Sequence, residues 1–169
     1  MPRYFSFPLP ETSDYKHISV EPMTLALGAV LSGVDLSGPV ETAVCDEIAD
    51  ALWRHHVVFF RDQDLTPDGH MALARHFGEM VEHEIFKADD DNAVISVLEN
   101  DVDRPPEINA WHTDVTFRRN PTLLSVLYCE EVPPVGGDTI WMNQAFAFDT
   151  LAPATQEVLL NLEAEHCVF

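Results

Sequence analysis

The chain has 169 residues, of which 46% are hydrophobic, and we expect it to form a single globular domain over residues 1–169. Nine Lys and Arg against 29 Asp and Glu give a formal net charge of −20. Because so acidic a chain repels phosphate backbones and anionic membrane surfaces, we expect no nucleic-acid or membrane partner. An anionic substrate would need a local cation at its site.

The first half of the chain is predicted to alternate short strands with amphipathic helices. Residues 24–35 (TLALGAVLSGVD) are typical of one or two short strands around a turn. Apolar residues at i, i+4, i+8, i+11 and i+12 from Val40 predict a helix, and the apolar run 57–60 after it predicts a buried strand. Thr66 before a proline predicts the N-cap of a second helix, which ends at Gly78.

The second half is predicted to hold further strands and one more helix. Residues 94–98, 123–128 and 139–142 are short runs of β-forming residues, and the last of them follows the turn-forming sequence VPPVGGD. Residues 153–165 repeat apolar side chains at helical spacing. The elements together predict a mainly β domain with flanking helices, of the α+β class.

Cysteine usage and hydropathy bear on the cellular compartment. Cys45, Cys129 and Cys167 are odd in number, widely spaced and in no C-x-x-C pair, which argues against a disulfide framework and a structural zinc site. The first residues lack the apolar region of a secretion signal, and no apolar run approaches the ~20 residues that span a bilayer. We therefore expect an unprocessed, soluble, cytoplasmic protein.

The most distinctive motif is residues 111–117 (WHTDVTF), in which His112 and Asp114 stand two residues apart in a β-prone stretch. In a strand they would share a face, with Cα atoms roughly 6.6 Å apart, and both side chains could reach one metal ion. Imidazole and carboxylate are two of the three ligands of the 2-His-1-carboxylate facial triad, which leaves three positions for a chelating cosubstrate and dioxygen. Alone, an H-x-D tripeptide is more often a surface Asp near a hydrogen-bonded His.

Five further blocks accompany this motif in the chain. They are Gly28-x-x-Leu31-x-Gly33-x-Asp35, residues 54–63, residues 77–79, residues 136–141 and residues 164–166. With these blocks in this order, the chain resembles the taurine dioxygenase and 2,4-dichlorophenoxyacetate dioxygenase family over most of its length. The resemblance implies a double-stranded β-helix (jelly roll), incomplete at its C-terminal end. It also implies an Fe(II)- and 2-oxoglutarate-dependent dioxygenase that uses O2 and forms succinate and CO2.

The resemblance also assigns roles at the metal and cosubstrate. His112 and Asp114 would be iron ligands, and no catalytic side chain beyond the ligands is expected. Thr139 would hydrogen-bond the carboxylate of 2-oxoglutarate, although a hydroxyl on a strand is also common without any such role.

Four residues are candidates for substrate binding by the same resemblance. His83 would lie near a sulfonate, Phe86 stands where taurine enzymes have a tyrosine, and Asn109 lies one place from their asparagine position. Val115 follows the second ligand. Because a lost hydroxyl changes the polar contacts of a pocket, taurine itself is in doubt. We expect a small, anionic substrate such as a taurine-like sulfonate, with an alkyl sulfate or an aryloxyalkanoate as the alternatives.

The third ligand of the triad is not evident in this sequence. The family pattern places a second histidine and a 2-oxoglutarate-binding arginine late in the chain, yet after Asp114 the only histidine is His166 and the only arginines are Arg118 and Arg119. His166 matches a family segment that is not a ligand position. We expect a truncated piece of a longer enzyme; a truncated gene, a second chain supplying the rest and a catalytically inactive fragment are the alternatives. A homo-oligomer is a further family expectation.

Overall fold

The computed structural model describes residues 14–82, 94–101, 103, 105 and 110–167. The elements in chain order are β1 (Ser19–Pro22), β2 (Ala29–Ser32), α1 (Thr42–His55), β3 (Val58–Phe60), α2 (Pro67–Phe77), α3 (Gln144–Asp149) and α4 (Pro153–Leu159). The strands and helices predicted between residues 24 and 78 are therefore confirmed, apart from small shifts at their ends. No helix in the described part of the chain is long and apolar enough to cross a membrane.

The three strands form one mixed sheet in the order β1-β2-β3. β1 and β2 pair antiparallel, with Val20 opposite Leu31, while β2 and β3 pair parallel, with Leu31 opposite Phe60. The parallel pair is possible because α1 lies between β2 and β3 in the chain and carries it back to the starting edge. Gly28 and Gly33 bound β2 with φ angles of 91° and 86°, where residues with a Cβ are strained.

The core lies between this sheet and α1. One buried cluster joins strand and helix residues: Ile18, Ala29, Leu31, Ile48 and Ala51. A second, around Leu36, Cys45 and Leu73, joins α1 to α2. The buried residues of α1 fall at spacings of three and four, which confirms the predicted amphipathic stripe.

The ends of both long helices follow local chemistry. Thr66 Oγ1 accepts a hydrogen bond from Gly69 N at 3.1 Å, and Pro67 occupies the first turn of α2, as predicted. His56 ends α1 in the left-handed region, with φ 66°, and its backbone N–H donates to Leu52 O. Glycine is the usual residue at such a position, so His56 stores local strain.

Residues 110–167 are far less regular than predicted. The strands expected at 94–98, 123–128 and 139–142 are wrong, because the described residues form no strand after β3. The last helix ends at Leu159 and does not reach residue 165. A strand needs a hydrogen-bonding neighbour, and many large apolar side chains of these segments are instead exposed, although Val126 packs against the cluster of Leu36, Cys45 and Leu73. The described part contains both strands and helices, as the α+β class requires, but it has more helical than strand residues and is not mainly β. The jelly roll stays a prediction.

Candidate metal centre

The two predicted iron ligands lie side by side where a turn begins. Residues 114–117 form this turn, and Arg118 N donates to Val115 O at 3.0 Å. The predicted strand at the motif is therefore wrong, and the face-sharing argument does not apply. His112 Nε2 nevertheless lies 3.3 Å from Asp114 Oδ1, and both side chains are about half exposed. The motif predicted the right pair of neighbours through the wrong local structure.

The hydrogen bond at the far side of the imidazole determines which nitrogen is available. His112 Nδ1 lies 2.9 Å from Ala110 O. Because a carbonyl oxygen can only accept, Nδ1 carries the hydrogen and donates it. Nε2 is therefore the nitrogen left to face Asp114 Oδ1 and to bind a metal cation placed between them. Such an arrangement of imidazole and backbone carbonyl is typical of metal-binding histidines.

The spacing of the two donors fits one octahedral metal ion. Ligand bonds of about 2.1 Å at right angles would place an imidazole nitrogen and a carboxylate oxygen about 3.0 Å apart. The observed separation of 3.3 Å between His112 Nε2 and Asp114 Oδ1 is close to this value. Among the residues that the structure describes, no group of three or more His, Cys, Asp and Glu side chains could hold a metal. His112 and Asp114 thus form a fitting but partial ligand set.

Three side chains from later segments contact the motif. Ser125 Oγ donates to Asp114 Oδ2 at 3.2 Å, and Gln144 Nε2 donates to Thr113 Oγ1 at 3.0 Å. His166 Nδ1 lies 2.9 Å from Thr116 Oγ1. His166 therefore approaches the motif through a threonine and joins no three-residue ligand group. The contacts of Ser125 and Gln144 were not predicted from the sequence, because no local sequence pattern indicates them.

Val115, a predicted substrate-binding residue, has an unusual backbone. Its φ angle is 46°, which is a clear outlier for a β-branched residue. The side chain is buried, with 9% of its surface exposed, unlike its neighbours in the motif. Strain of this kind persists where surrounding structure enforces it and often occurs at functional sites. Burial of Val115 thus anchors the turn that carries Asp114, and its role toward substrate stays a prediction.

Thr139, the predicted 2-oxoglutarate contact, lies in an exposed irregular segment after a double-glycine turn. Gly136 and Gly137 adopt φ angles of 82° and 73°, as the turn chemistry indicated. Nearby, the Trp141 ring contacts Phe59 of β3 edge-on at 5.3 Å between centroids, which connects this segment to the sheet. The cosubstrate role of Thr139 stays a prediction.

The other predicted substrate contacts, His83, Phe86 and Asn109, lie outside the described residues. Their roles stay predictions.

Comparison with known proteins agrees with the motif. The family model described as "Taurine catabolism dioxygenase TauD, TfdA family" matches residues 19–169. An alpha-ketoglutarate-dependent sulfate ester dioxygenase of Pseudomonas putida is 35% identical over 88% of this chain and 49% of its own length. An alkylsulfatase of Acinetobacter baylyi is 33% identical over 89% of this chain and 47% of its own.

The fold comparison agrees. The crystal structure of a taurine dioxygenase from Burkholderia xenovorans superposes with a TM-score of 0.68 and 31% identity, over 86% of this chain and 52% of that one. The chain thus spans about half the length of the relatives it matches. With a family model that matches all but its first 18 residues, the chain belongs to the TauD, TfdA family of taurine catabolism dioxygenases.

Proposed function

We propose that the protein is an Fe(II)- and 2-oxoglutarate-dependent dioxygenase that hydroxylates a small anionic substrate. The observation that carries the proposal is the pair His112 Nε2 and Asp114 Oδ1, 3.3 Å apart, in a chain of this family. When bound, Fe(II) with 2-oxoglutarate and O2 supplies the oxidising power for C–H hydroxylation, with succinate and CO2 as the other products. The chain itself contributes two adjacent ligands, and the hydrogen bond from Nδ1 to Ala110 O leaves Nε2 of His112 to face the metal.

The substrate class follows from charge and from the relatives. Because the chain carries a net charge of −20, an anionic substrate must be held against a general repulsion by a local cation. His83 is the proposed contact to the anionic group, because Fe(II) with a carboxylate ligand and dianionic 2-oxoglutarate carries no net positive charge. Two of the three relatives compared above are named for sulfate esters or alkyl sulfates and one for taurine, so a sulfate ester and a taurine-like sulfonate are both candidates. An aryloxyalkanoate is the third candidate.

We also propose that the complete catalytic domain includes a further segment that covers residues 110–167. Val115 is the only buried residue in that range. Large apolar side chains there are mostly exposed, with Leu123 at 70%, Ile140 at 71% and Leu160 at 74%. Apolar surface on this scale marks a contact face. The covering segment would supply the third ligand and the arginine for 2-oxoglutarate, beside Thr139. A cytoplasmic location and homo-oligomerisation stay predictions.

An anaerobic titration tests the metal and cosubstrate roles. Fe(II) and 2-oxoglutarate are added to the 169-residue chain and to a longer chain with the rest of the domain, and the visible charge-transfer band of the chelate is followed. We expect a band in the longer chain, O2-dependent succinate formation with it, and loss of both in His112→Ala and Asp114→Asn. His56→Ala, a histidine variant at the end of α1, is the matched control. A band that survives both ligand substitutions contradicts the proposal.

A further inference from the structure

The two oxygens of Asp114 have different partners. Oδ1 faces His112 Nε2 at 3.3 Å, on the proposed metal side. Oδ2 accepts a hydrogen bond from Ser125 Oγ at 3.2 Å. Carboxylates bind metals through one oxygen or through both, and the choice changes the number of positions left for other ligands. A facial triad needs its carboxylate to occupy a single position.

We propose that Ser125 is a positioning residue that holds Asp114 in one-oxygen coordination by retaining Oδ2 in a hydrogen bond. The inference rests on the proposed function. With Oδ2 held by the hydroxyl, Oδ1 alone remains for the metal, and the plane of the carboxylate is oriented toward His112. Partners of this kind, one step removed from the metal, orient ligating carboxylates and raise metal affinity.

A second hydrogen bond, made by Gln144, also restrains the segment that carries Asp114, and this restraint keeps the carboxylate within reach of Ser125. Gln144 Nε2 donates to the hydroxyl of Thr113, the residue between the two ligands. Gln144 opens α3, whose N-cap Asn143 accepts from Phe146 N and donates to Ala26 O in the loop between β1 and β2, both at 3.0 Å. The ligand turn is thereby tied through α3 to the sheet.

Substitution of Ser125 should lower metal affinity without lowering the stability of the fold. Ser125 and Asp114 are both exposed, and a hydrogen bond between solvated side chains adds little to the free energy of unfolding. Its effect on a bound metal is larger, because removal of such a partner typically lowers metal affinity by about 10–100-fold. A purely structural serine would show the opposite pattern.

The experiment measures Mn²⁺ binding to the longer chain that includes the covering segment, from the EPR signal of free Mn²⁺, with thermal unfolding followed in parallel. His112→Ala defines the adventitious binding by other carboxylates, which is subtracted. We expect Ser125→Ala to weaken the His112-dependent binding at least about tenfold with an unchanged unfolding midpoint. Ser125→Thr, which keeps the hydroxyl, should restore it, and Ser19→Ala on the exposed face of β1 should have no effect.

The Co²⁺ absorption spectrum adds a reading of coordination number. We expect Ser125→Ala to change the band intensities as the second carboxylate oxygen enters, and Ser125→Thr to leave them unchanged. If Ser125→Ala fails to unfold cooperatively, Ser125→Val decides, because valine has the shape of the threonine variant without its donor hydroxyl.

The two proposals fail in different ways. Equal Mn²⁺ affinity and equal Co²⁺ spectra in the wild type and Ser125→Ala overturn the role of Ser125 and leave the metal site standing. A wild-type longer chain, with the covering segment present, that shows no His112-dependent binding overturns both.

Discussion

Two leucines offer a direct test of where the core lies. Leu31, at the centre of β2, is 2% exposed and packs in the cluster with Ile48 and Ala51. Leu160, at the end of α4, is 74% exposed. Leu31→Ala and Leu160→Ala delete the same atoms, so the difference between their effects on the free energy of unfolding reports the difference in burial.

The magnitudes follow from those exposures. Full burial of a leucine contributes about 1.5–3 kcal/mol, and the cavity left by truncation raises the cost to about 2–5 kcal/mol, so we expect about 3 kcal/mol for Leu31→Ala. Leu160 has roughly a quarter of its surface covered, which corresponds to about 0.5 kcal/mol. For a chain of this size these values lower the midpoint of thermal unfolding by about 6–12 °C and about 1–2 °C.

Urea and thermal unfolding followed by far-UV circular dichroism would measure both variants against the wild type. Equal effects, or a larger effect of Leu160→Ala, would refute the assignment of the core to residues 18–73. In a longer chain, in which the proposed segment covers residues 110–167, the loss of unfolding free energy caused by Leu160→Ala should rise toward that caused by Leu31→Ala. No such rise would contradict the proposed covering segment.

Two further predictions concern stability. Burial opposes ionisation of Glu47, but hydrogen bonds from the backbone N–H groups of residues 16–18 outweigh it and lower the pKa of this carboxyl group. Glu47 therefore stabilises the fold above its ordinary pKa of about 4.3, and this stabilisation is lost as the pH falls through the pKa of the folded state. Glu47→Gln should therefore destabilise at pH 7 and converge on the wild type in acid, while Glu21→Gln on β1 should change little; a pH-independent difference in urea unfolding would disprove this. His56→Gly should stabilise by about 0.5–1 kcal/mol by relieving a left-handed φ, whereas His56→Ala keeps the strain, and an equal unfolding midpoint in the two variants would argue against it.

The helices of the first half could be predicted because their signals are local. Thr66 and the proline after it specify the start of α2 through a hydrogen bond that spans three residues. The stripe on α1 repeats every three to four residues and is visible in any window of one helix length. Such elements need little information from the rest of the chain.

The strands predicted in the second half failed for the complementary reason. Runs such as 123–128 have β-forming composition, but a strand exists only where a second strand accepts and donates its backbone hydrogen bonds. In the described residues after β3 that partner is missing, and Leu123 and Leu127 face solvent at 70% and 64% exposure. Composition alone does not show whether a pairing strand is present.

For the site, the sequence by itself predicted which two residues would be the metal ligands, because chemical identity and spacing are properties of His112-x-Asp114 alone. Only the tertiary structure decided that a turn and not a strand begins at Asp114, that Ala110 O assigns the hydrogen to Nδ1, and that Ser125 hydrogen-bonds one oxygen of Asp114. The Ser125 contact crosses eleven residues and that of Gln144 crosses thirty-one, through segments with no regular secondary structure between them. Contacts over such sequence distances depend on how the whole chain packs, and local sequence patterns do not determine that packing.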